Sequence, residues 1–170
     1  MTNDYDPEAL RAAEEDIRRR LLGHDVDLDI QEATSNLYRA ATVMSRSAEK
    51  DVLAGEELSW SGFTVLWVLW VWGEMGSSRL ATELGLTMGT LTGVRKGLEA
   101  QDLVSTRTDA EDGRRRLISL TERGTAVIER VYPRFNRWAA DLLADLSADE
   151  VRLLSRLLQT IIVAPAGRAD

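Results

Sequence analysis

The sequence predicts a mainly α-helical protein with one small β-hairpin. Three observations support this prediction. Apolar residues recur every three or four positions through most of the chain, a glycine at Gly85 joins two short helical segments, and two short alternating segments flank a polar loop over 109–114. A chain of 170 residues is long enough for one compact domain with short appendages.

Composition excludes several classes of protein. The chain has no cysteine, so it has no disulfide, zinc–thiolate site or thiol redox switch. Its longest apolar run, 63–72, is about half as long as a transmembrane helix needs, and its acidic, polar N-terminus is unlike a signal peptide. We therefore expect a soluble cytoplasmic protein. The 28 acidic and 21 basic residues give a net charge of −7, which by itself argues against nucleic-acid binding.

Caps and spacing predict the first two helices. Asp6-Pro7 is a typical helix start and Gly23 a typical exit, and together they bound a short, charged helix. A second helix is predicted from about Asp29 to Leu53, with Gly55 ending it. Its apolar stripe is long enough to face a partner chain as well as its own core. The stripe consists of Ile30, Ala33, Leu37, Ala41, Met44, Ala48 and Val52.

A third helix is predicted from the capping residue Ser59 to Trp72, where Gly73 stops it. The segment is apolar nearly all round, which is typical of a central buried helix. A buried strand is the alternative, because valine and tryptophan favour sheets. The length of the run and its capping serine favour the helix.

The second half of the chain continues with two short helices over about 78–84 and 88–101. Segments 103–108 and 115–120 then form the hairpin. Thr121 caps a helix of about 24 residues that contains Pro133, so we expect a kink there. Ser147 and Glu150 form a capping box that opens a last helix ending at Val163, and the tail over 165–170 is expected to fray.

Residues 77–96 have the pattern of a helix-turn-helix. Ala81 provides the small contact residue and Gly85 the turn, so the second helix is suited to the major groove of DNA. An ordinary helical corner with a solvated face is the alternative. Small hydroxyls and glycines on the outward face allow close approach, and Arg95 and Lys96 can reach phosphates. This face consists of Thr87, Met88, Gly89, Thr90, Thr92, Gly93, Arg95 and Lys96.

Four arginines cluster on and beside the hairpin loop. A hairpin with an arginine tip can enter a minor groove next to the recognition helix. Arginines can also serve as a solvated edge that blocks strand pairing, but the neighbouring helix-turn-helix favours the DNA-binding interpretation. The four residues are Arg107, Arg114, Arg115 and Arg116.

The order of these elements resembles the MarR family of winged helix-turn-helix transcriptional regulators. The likeness runs collinearly over about 28–163 and leaves the first helix outside the family core. The residues that carry it are Leu58-Ser59, Phe63, Leu66, Leu80-Ala81-Thr82-Glu83-Leu84-Gly85-Leu86, Leu98-Glu99, Leu103-Val104, Asp109-Ala110-Glu111-Asp112-Gly113-Arg114 and Leu120-Thr121-Glu122-Arg123-Gly124.

The resemblance implies a homodimeric repressor that binds a pseudo-palindromic operator. It implies that Arg114 enters the minor groove and that Asp112 braces the wing. The chain departs from the family pattern at Gly93, Asp102 and Gly113, which weakens any transfer of sequence specificity. The implied divisions are an extension helix (1–23), a helical dimerisation region (28–55 and 121–163), a DNA-binding lobe (58–120, with the helix-turn-helix at 77–96 and the wing at 103–120) and a tail (164–170).

The family also implies a small aromatic or anionic effector. Its pocket could use Tyr38, Arg39, Trp60, Trp67 and Trp138, although core packing is the simpler interpretation of the tryptophans. The single histidine lies in a predicted linker, and the chain has no phosphate loop or nucleophile elbow. We expect no metal, cofactor or enzymatic activity.

A winged helix that binds protein rather than DNA remains the alternative function, and the acidic composition would permit it. Residues 88–124 hold seven basic and six acidic residues, a net charge of +1, whereas the remainder holds 14 and 22, a net charge of −8. The segment expected to face DNA is therefore nearly neutral, whereas the rest of the chain is strongly acidic. We expect weak non-specific binding to DNA.

Overall fold

A computed structural model describes residues 6–113 and 115–164. It confirms a mainly helical fold with a small sheet. Contacts divide the chain into two compact units, one ending at Ser47 and one beginning at Ala48. The described elements are α1 (Pro7–Leu21), α2 (Leu28–Ala48), α3 (Trp60–Trp72), β1 (Met75–Gly76), α4 (Ser77–Leu84), α5 (Met88–Ala100), β2 (Val104–Thr108), β3 (Arg116–Leu120), α6 (Glu122–Leu142) and α7 (Ala148–Ile162).

The first unit contains α1 and α2, which are joined by polar contacts among others. Arg18 Nη2 donates to Glu32 Oε2 at 2.7 Å, and Asn36 Nδ2 donates to Glu14 Oε1 at 2.9 Å. The apolar stripe predicted on α2 is open over its first half, where Ile30 is 62% exposed and Leu37 is also exposed. This face of α2 is therefore free to contact another molecule.

The second helix departs from the sequence prediction at its end. The α-helical pattern stops at Ala48 and continues as a π-helical turn over Glu49–Leu53 and a 3₁₀ turn over Ala54–Glu56. A π turn accommodates one extra residue. The wider turn allows Ala48, Val52 and Leu53 all to be buried, although their spacing does not fit one face of a regular α-helix.

Helix α3 forms the centre of the second unit, and the strand alternative is wrong. Ser59 caps it by accepting a hydrogen bond from Gly62 N, as the sequence predicts. Burial ends before the helix does, because Trp70 and Trp72 in the last turn are exposed. The expectation of a helix buried all round therefore fails for its last turn. The buried residues are Gly62, Phe63, Val65, Leu66, Val68 and Leu69.

The sheet has three strands rather than the two of the predicted hairpin. Strands β2 and β3 pair antiparallel as predicted, from Val104 opposite Leu120 to Thr108 opposite Arg116. The additional strand β1 pairs with the other side of β3, with Met75 opposite Ile118. A two-residue strand is too short to produce a detectable alternation, so the sequence did not predict it.

The start of α6 is fixed tightly against the turn between α5 and β2. Thr121 Oγ1 donates to the carbonyl of Asp102 at 2.6 Å and accepts from Gly124 N at 2.9 Å. Thr121 N donates to the carbonyl of Leu103 at 3.1 Å. A Cβ atom on Gly124 would lie 1.9 Å from that same carbonyl oxygen, so only glycine fits here.

The last two helices differ in burial. Helix α6 contains Pro133, as predicted, and buries Ile128, Val131 and Trp138 against the rest of its unit. Helix α7 opens with the predicted capping box of Ser147 and Glu150. None of the residues of α7, all of which lie in the described part of the chain, is buried.

We predict that Gly124→Ala destabilises the protein by about 3 kcal/mol, because the added methyl group overlaps backbone that cannot move freely. Gly97→Ala is the matched control, since a Cβ atom there meets nothing within 4 Å. That variant should gain about 0.5–1 kcal/mol from reduced backbone entropy in the unfolded chain. Urea denaturation measures both effects. A Gly124→Ala variant as stable as the parent protein would contradict the assigned contact.

Candidate nucleic-acid interface

Helices α4 and α5 form a helix-turn-helix. Gly85 adopts a left-handed conformation with φ of 62°. Its N–H and that of Leu86 donate back to the carbonyls of Thr82 and Ala81 at 3.1 and 2.9 Å, which closes α4. Thr87 then caps α5 by accepting from Thr90 N. The sequence prediction of this motif is confirmed.

The outward face of α5 is smooth and exposed. Met88 is 48% exposed, and Gly93 has open space around it. The threonine hydroxyls make local hydrogen bonds. Thr87 Oγ1 lies 2.9 Å from Thr90 Oγ1, and Thr92 Oγ1 donates to the carbonyl of Met88 at 2.8 Å. Such a face lets a flat polar surface approach the helix backbone closely.

A basic depression of about 260 Å³ lies beside this face. It is bounded by the first turn of α4, one side of α5 and the start of β3. Four arginines, Arg79, Arg95, Arg115 and Arg116, line it together with Ser77 and Ser78. The N-cap of α4 is Gly76, which provides no side-chain acceptor for the first-turn N–H groups. Guanidinium groups and free N–H groups together favour an anion such as a phosphate.

Ser77, Ser78 and Arg79 also line the depression, although the sequence prediction did not include them. Their position directly before the buried Leu80 marks the first turn of a helix. The prediction for this motif was limited to the outward face of its second helix. Ser77 Oγ donates to the carbonyl of Arg116 at 3.1 Å, and this hydrogen bond holds the first turn of α4 against the sheet. The first turn of α4 and the exposed side of α5 therefore line the same depression.

Two of the predicted DNA-contacting arginines are held by acidic residues. Arg107 Nε donates to Glu74 Oε2 at 2.8 Å, and Arg107 Nη2 makes a second hydrogen bond to the same carboxylate. The hydrogen bond from Arg107 lowers the pKa of Glu74 below its ordinary value. Arg115 Nη1 lies 3.6 Å from Asp109 Oδ2. Each arginine can reach a phosphate only in competition with its own carboxylate.

Arg95 is also engaged within the protein. Its Nη1 atom lies 2.5 Å from Glu99 Oε1, on the next turn of α5. Thr106 Oγ1 donates to the same oxygen, and this hydrogen bond, followed by that from Arg95, lowers the pKa of Glu99. These contacts tie α5 to β2 and leave Arg95 half-buried at the depression. Lys96, by contrast, is exposed.

The tip of the wing is only partly described. Arg114, the predicted minor-groove residue, lies outside the described residues. The carbonyl of Asp112 accepts from Arg115 N at 2.9 Å, which narrows the loop. Arg116 Nη1 donates across the hairpin to Thr108 Oγ1 at 2.9 Å. The bracing role of the Asp112 side chain stays a prediction.

The residues predicted to form an effector pocket are divided between the two units of the chain. Trp60 and Trp67 line one groove, which also includes the end of α4. Trp138 is not part of that groove; it is 7% exposed and packs on Phe135 with a 5.7 Å distance between ring centroids. In the first unit, Tyr38 is exposed, and Arg39 Nη1 donates to Asn36 Oδ1 at 3.1 Å.

Residues 6–113 and 115–164 contain no group of three or more His, Asp or Glu side chains arranged to hold a metal ion. Nor do they contain a helix long and apolar enough to cross a membrane.

Comparison with known proteins places these features in a family. Residues 58–115 match the model of the MarR family. A relative from Bacillus subtilis (strain 168), named uncharacterized HTH-type transcriptional regulator YwaE, is 31% identical over 164 residues. The match covers 95% of this chain and 96% of the relative.

Solved structures share the fold. A mutant MarR from E. coli complexed with operator DNA matches with a TM-score of 0.73 and 23% identity, covering 82% of this chain and all of that one. The PcaV transcriptional regulator from Streptomyces coelicolor, in complex with its natural ligand, matches with a TM-score of 0.67 and 26% identity. That match covers 85% of this chain and 95% of PcaV.

Proposed function

The chain belongs to the MarR family, and we propose on that premise that it is a DNA-binding transcriptional regulator. The observation that carries the proposal is the basic depression between the start of α4, the exposed face of α5 and the start of β3. Four arginines converge there in a chain whose net charge is −7. The B. subtilis relative is named as a regulator, and the E. coli structure contains operator DNA.

Each part of this surface has a separate proposed role. Helix α5 enters the major groove, where Met88, Gly89, Thr90, Thr92 and Gly93 approach base edges. Arg79, Arg95, Lys96, Arg115 and Arg116 hold phosphates, as does Arg107 once it leaves Glu74. Arg114 enters the minor groove, and Asp112 braces the wing. The helix-turn-helix and the wing thus form the DNA-binding lobe over 58–120.

We propose that the regulator is a homodimer joined through α2, α6 and α7. Helix α7 exposes a row of large apolar residues, including Leu153, Leu157 and Ile161, the last of which is 56% exposed. The open stripe of α2 adds a second apolar face. Contiguous apolar surfaces of this kind typically mark interfaces between proteins. A two-fold dimer would present two lobes to a pseudo-palindromic operator.

Repression and release by a small molecule complete the proposal. A dimer bound over a promoter blocks transcription, and a ligand that changes the spacing of the two lobes lowers DNA affinity. The natural ligand bound to PcaV supports the expectation that members of this fold take small effectors.

DNA binding is tested by selecting duplexes from a random-sequence pool with the full chain, followed by affinity measurements at several salt concentrations. We expect a selected sequence with two-fold symmetry. The logarithm of the association constant should fall linearly with the logarithm of the salt concentration, with a slope of about −0.9 for each phosphate contacted. Failure to select any sequence, or binding to a protein partner with little salt dependence, would contradict the proposal.

Arg79→Gln tests the basic depression in the same assay. We expect the variant to weaken binding similarly for all sequences and to reduce the salt slope by about 1, because it removes one phosphate contact. Arg11→Gln on α1 makes the same change of charge outside the proposed DNA-binding lobe. Equal losses in the two variants would mean that only the net charge matters.

We predict that Glu74→Gln increases non-specific DNA affinity several-fold and steepens the salt slope by about 1. The neutral side chain keeps its shape but releases the charge of Arg107 for a phosphate. Fluorescence anisotropy on a random-sequence duplex measures the change. Glu129→Gln, an exposed change of the same charge on α6, should have a much smaller effect. The proposed competition is absent if both variants bind alike.

We predict that Leu157→Lys converts the dimer to a monomer, because it places a charge within the apolar face of α7. Gln159→Lys is the matched control, since it adds the same charge on the opposite side of the same helix. Analytical ultracentrifugation measures the oligomeric state. A monomeric parent protein, or a Leu157→Lys variant that remains dimeric, would rule out the proposed interface.

A further inference from the structure

A surface groove of about 310 Å³ lies outside the proposed DNA interface. It is lined by Trp60, Trp67 and Trp72 from α3 and by Glu83 from α4, with Thr64 and Leu86 completing the wall. Three of the five tryptophans of the chain therefore line one small groove. A volume of this size lies at the lower end of those that hold small organic ligands.

The rings form a corner rather than a stack. The centroids of Trp67 and Trp72 lie 5.4 Å apart, with their planes at 80° to each other. Trp72 is 52% exposed, although large aromatic side chains usually bury most of their surface. Core packing engages the ring of Trp60 with Phe63 and Phe135 but leaves aromatic surface of Trp72 open at the groove. Faces of indole rings carry negative potential and attract cations more strongly than the other aromatic side chains do.

The charges around the groove favour a cation as well. Glu83 contributes a carboxylate, and its ion pair with Arg79 is long, at 3.9 Å between Arg79 Nε and Glu83 Oε1. An exposed pair of this kind contributes little. The residues Trp72 and Glu83 also lie in the last turns of α3 and α4. Helix C-termini carry partial negative charge, so both helix ends attract a cation, as Glu83 does.

We propose that this groove binds an organic cation, such as a quaternary ammonium compound, with its charged group against the tryptophan faces and close to Glu83. The aromatic corner provides the cation–π contact, and the carboxylate with the two helix ends provides the long-range attraction. This ligand class is opposite in charge to the anionic effectors expected from the sequence. The proposal does not depend on DNA binding, so each can fail without the other.

The test uses three probes that share a benzyl or phenyl ring but differ in charge: benzyltrimethylammonium, benzyl alcohol and benzoate. Isothermal titration calorimetry measures their affinities for the full chain. Binding of benzyltrimethylammonium about fivefold or more tighter than that of benzyl alcohol, with still weaker binding of benzoate, supports the site. Equal affinity for the three probes, or a preference for benzoate, overturns it.

Variants locate the binding. Trp72→Leu and Glu83→Gln should each weaken binding of benzyltrimethylammonium about fivefold or more. Trp70→Leu is the matched control, because Trp70 is exposed on the same helix but packs on Tyr132, with ring centroids 5.5 Å apart. Indole N–H signals in NMR spectra of the parent protein provide a second readout that needs no variant. Shifts confined to Trp60, Trp67 and Trp72 support the site, and shifts centred on Trp138 overturn it.

Discussion

The carbonyl oxygen of Leu103 is the point on which the arrangement of the DNA-binding lobe depends. The backbone N–H of Thr121 donates to it, and Gly124 lies so close that no side chain fits between them. Asp102, the residue before it, adopts a left-handed conformation with φ of 57° and accepts from the Thr121 hydroxyl. The end of α5, the start of β2 and the start of α6 therefore meet in one tight contact. This contact, together with the hydrogen bonds of Arg95 and Thr106 to Glu99, holds the wing against α5.

A second constraint is the balance of charge around the proposed DNA-facing surface. An acidic protein that binds DNA must limit the repulsion between its own carboxylates and the phosphates. Here Glu74, Glu99 and Asp109 lie beside arginines of the interface, so part of the acidity is neutralised at the surface itself. Under the proposed function, the same pairs hold the arginine side chains in place in the free protein, and the pair with Glu74 must open before Arg107 contacts a phosphate.

Local sequence signals predicted much of the fold. Gly85, Ser59, Thr121 and the Ser147 capping box each mark a helix boundary within a few residues, and the structure has a boundary at each of them. Features that depend on contacts between distant residues could not be predicted. Arg107 and Glu74 are 33 positions apart, and the groove at Trp72 requires the end of α4 to lie beside α3. The π turn after Ala48, which contains the buried Val52 and Leu53, has no marker in the local sequence pattern.

Footprinting on a selected operator tests most directly the claim that two such lobes, held in a dimer, bind DNA together. Hydroxyl-radical and dimethyl-sulfate footprints report backbone protection and major-groove protection. The proposed arrangement predicts two protected major-groove segments on one face of the duplex, about one helical turn or roughly 34–36 Å apart, each flanked by minor-groove protection from the wing. A single protected segment, or protection confined to the backbone with no major-groove contact, would contradict it.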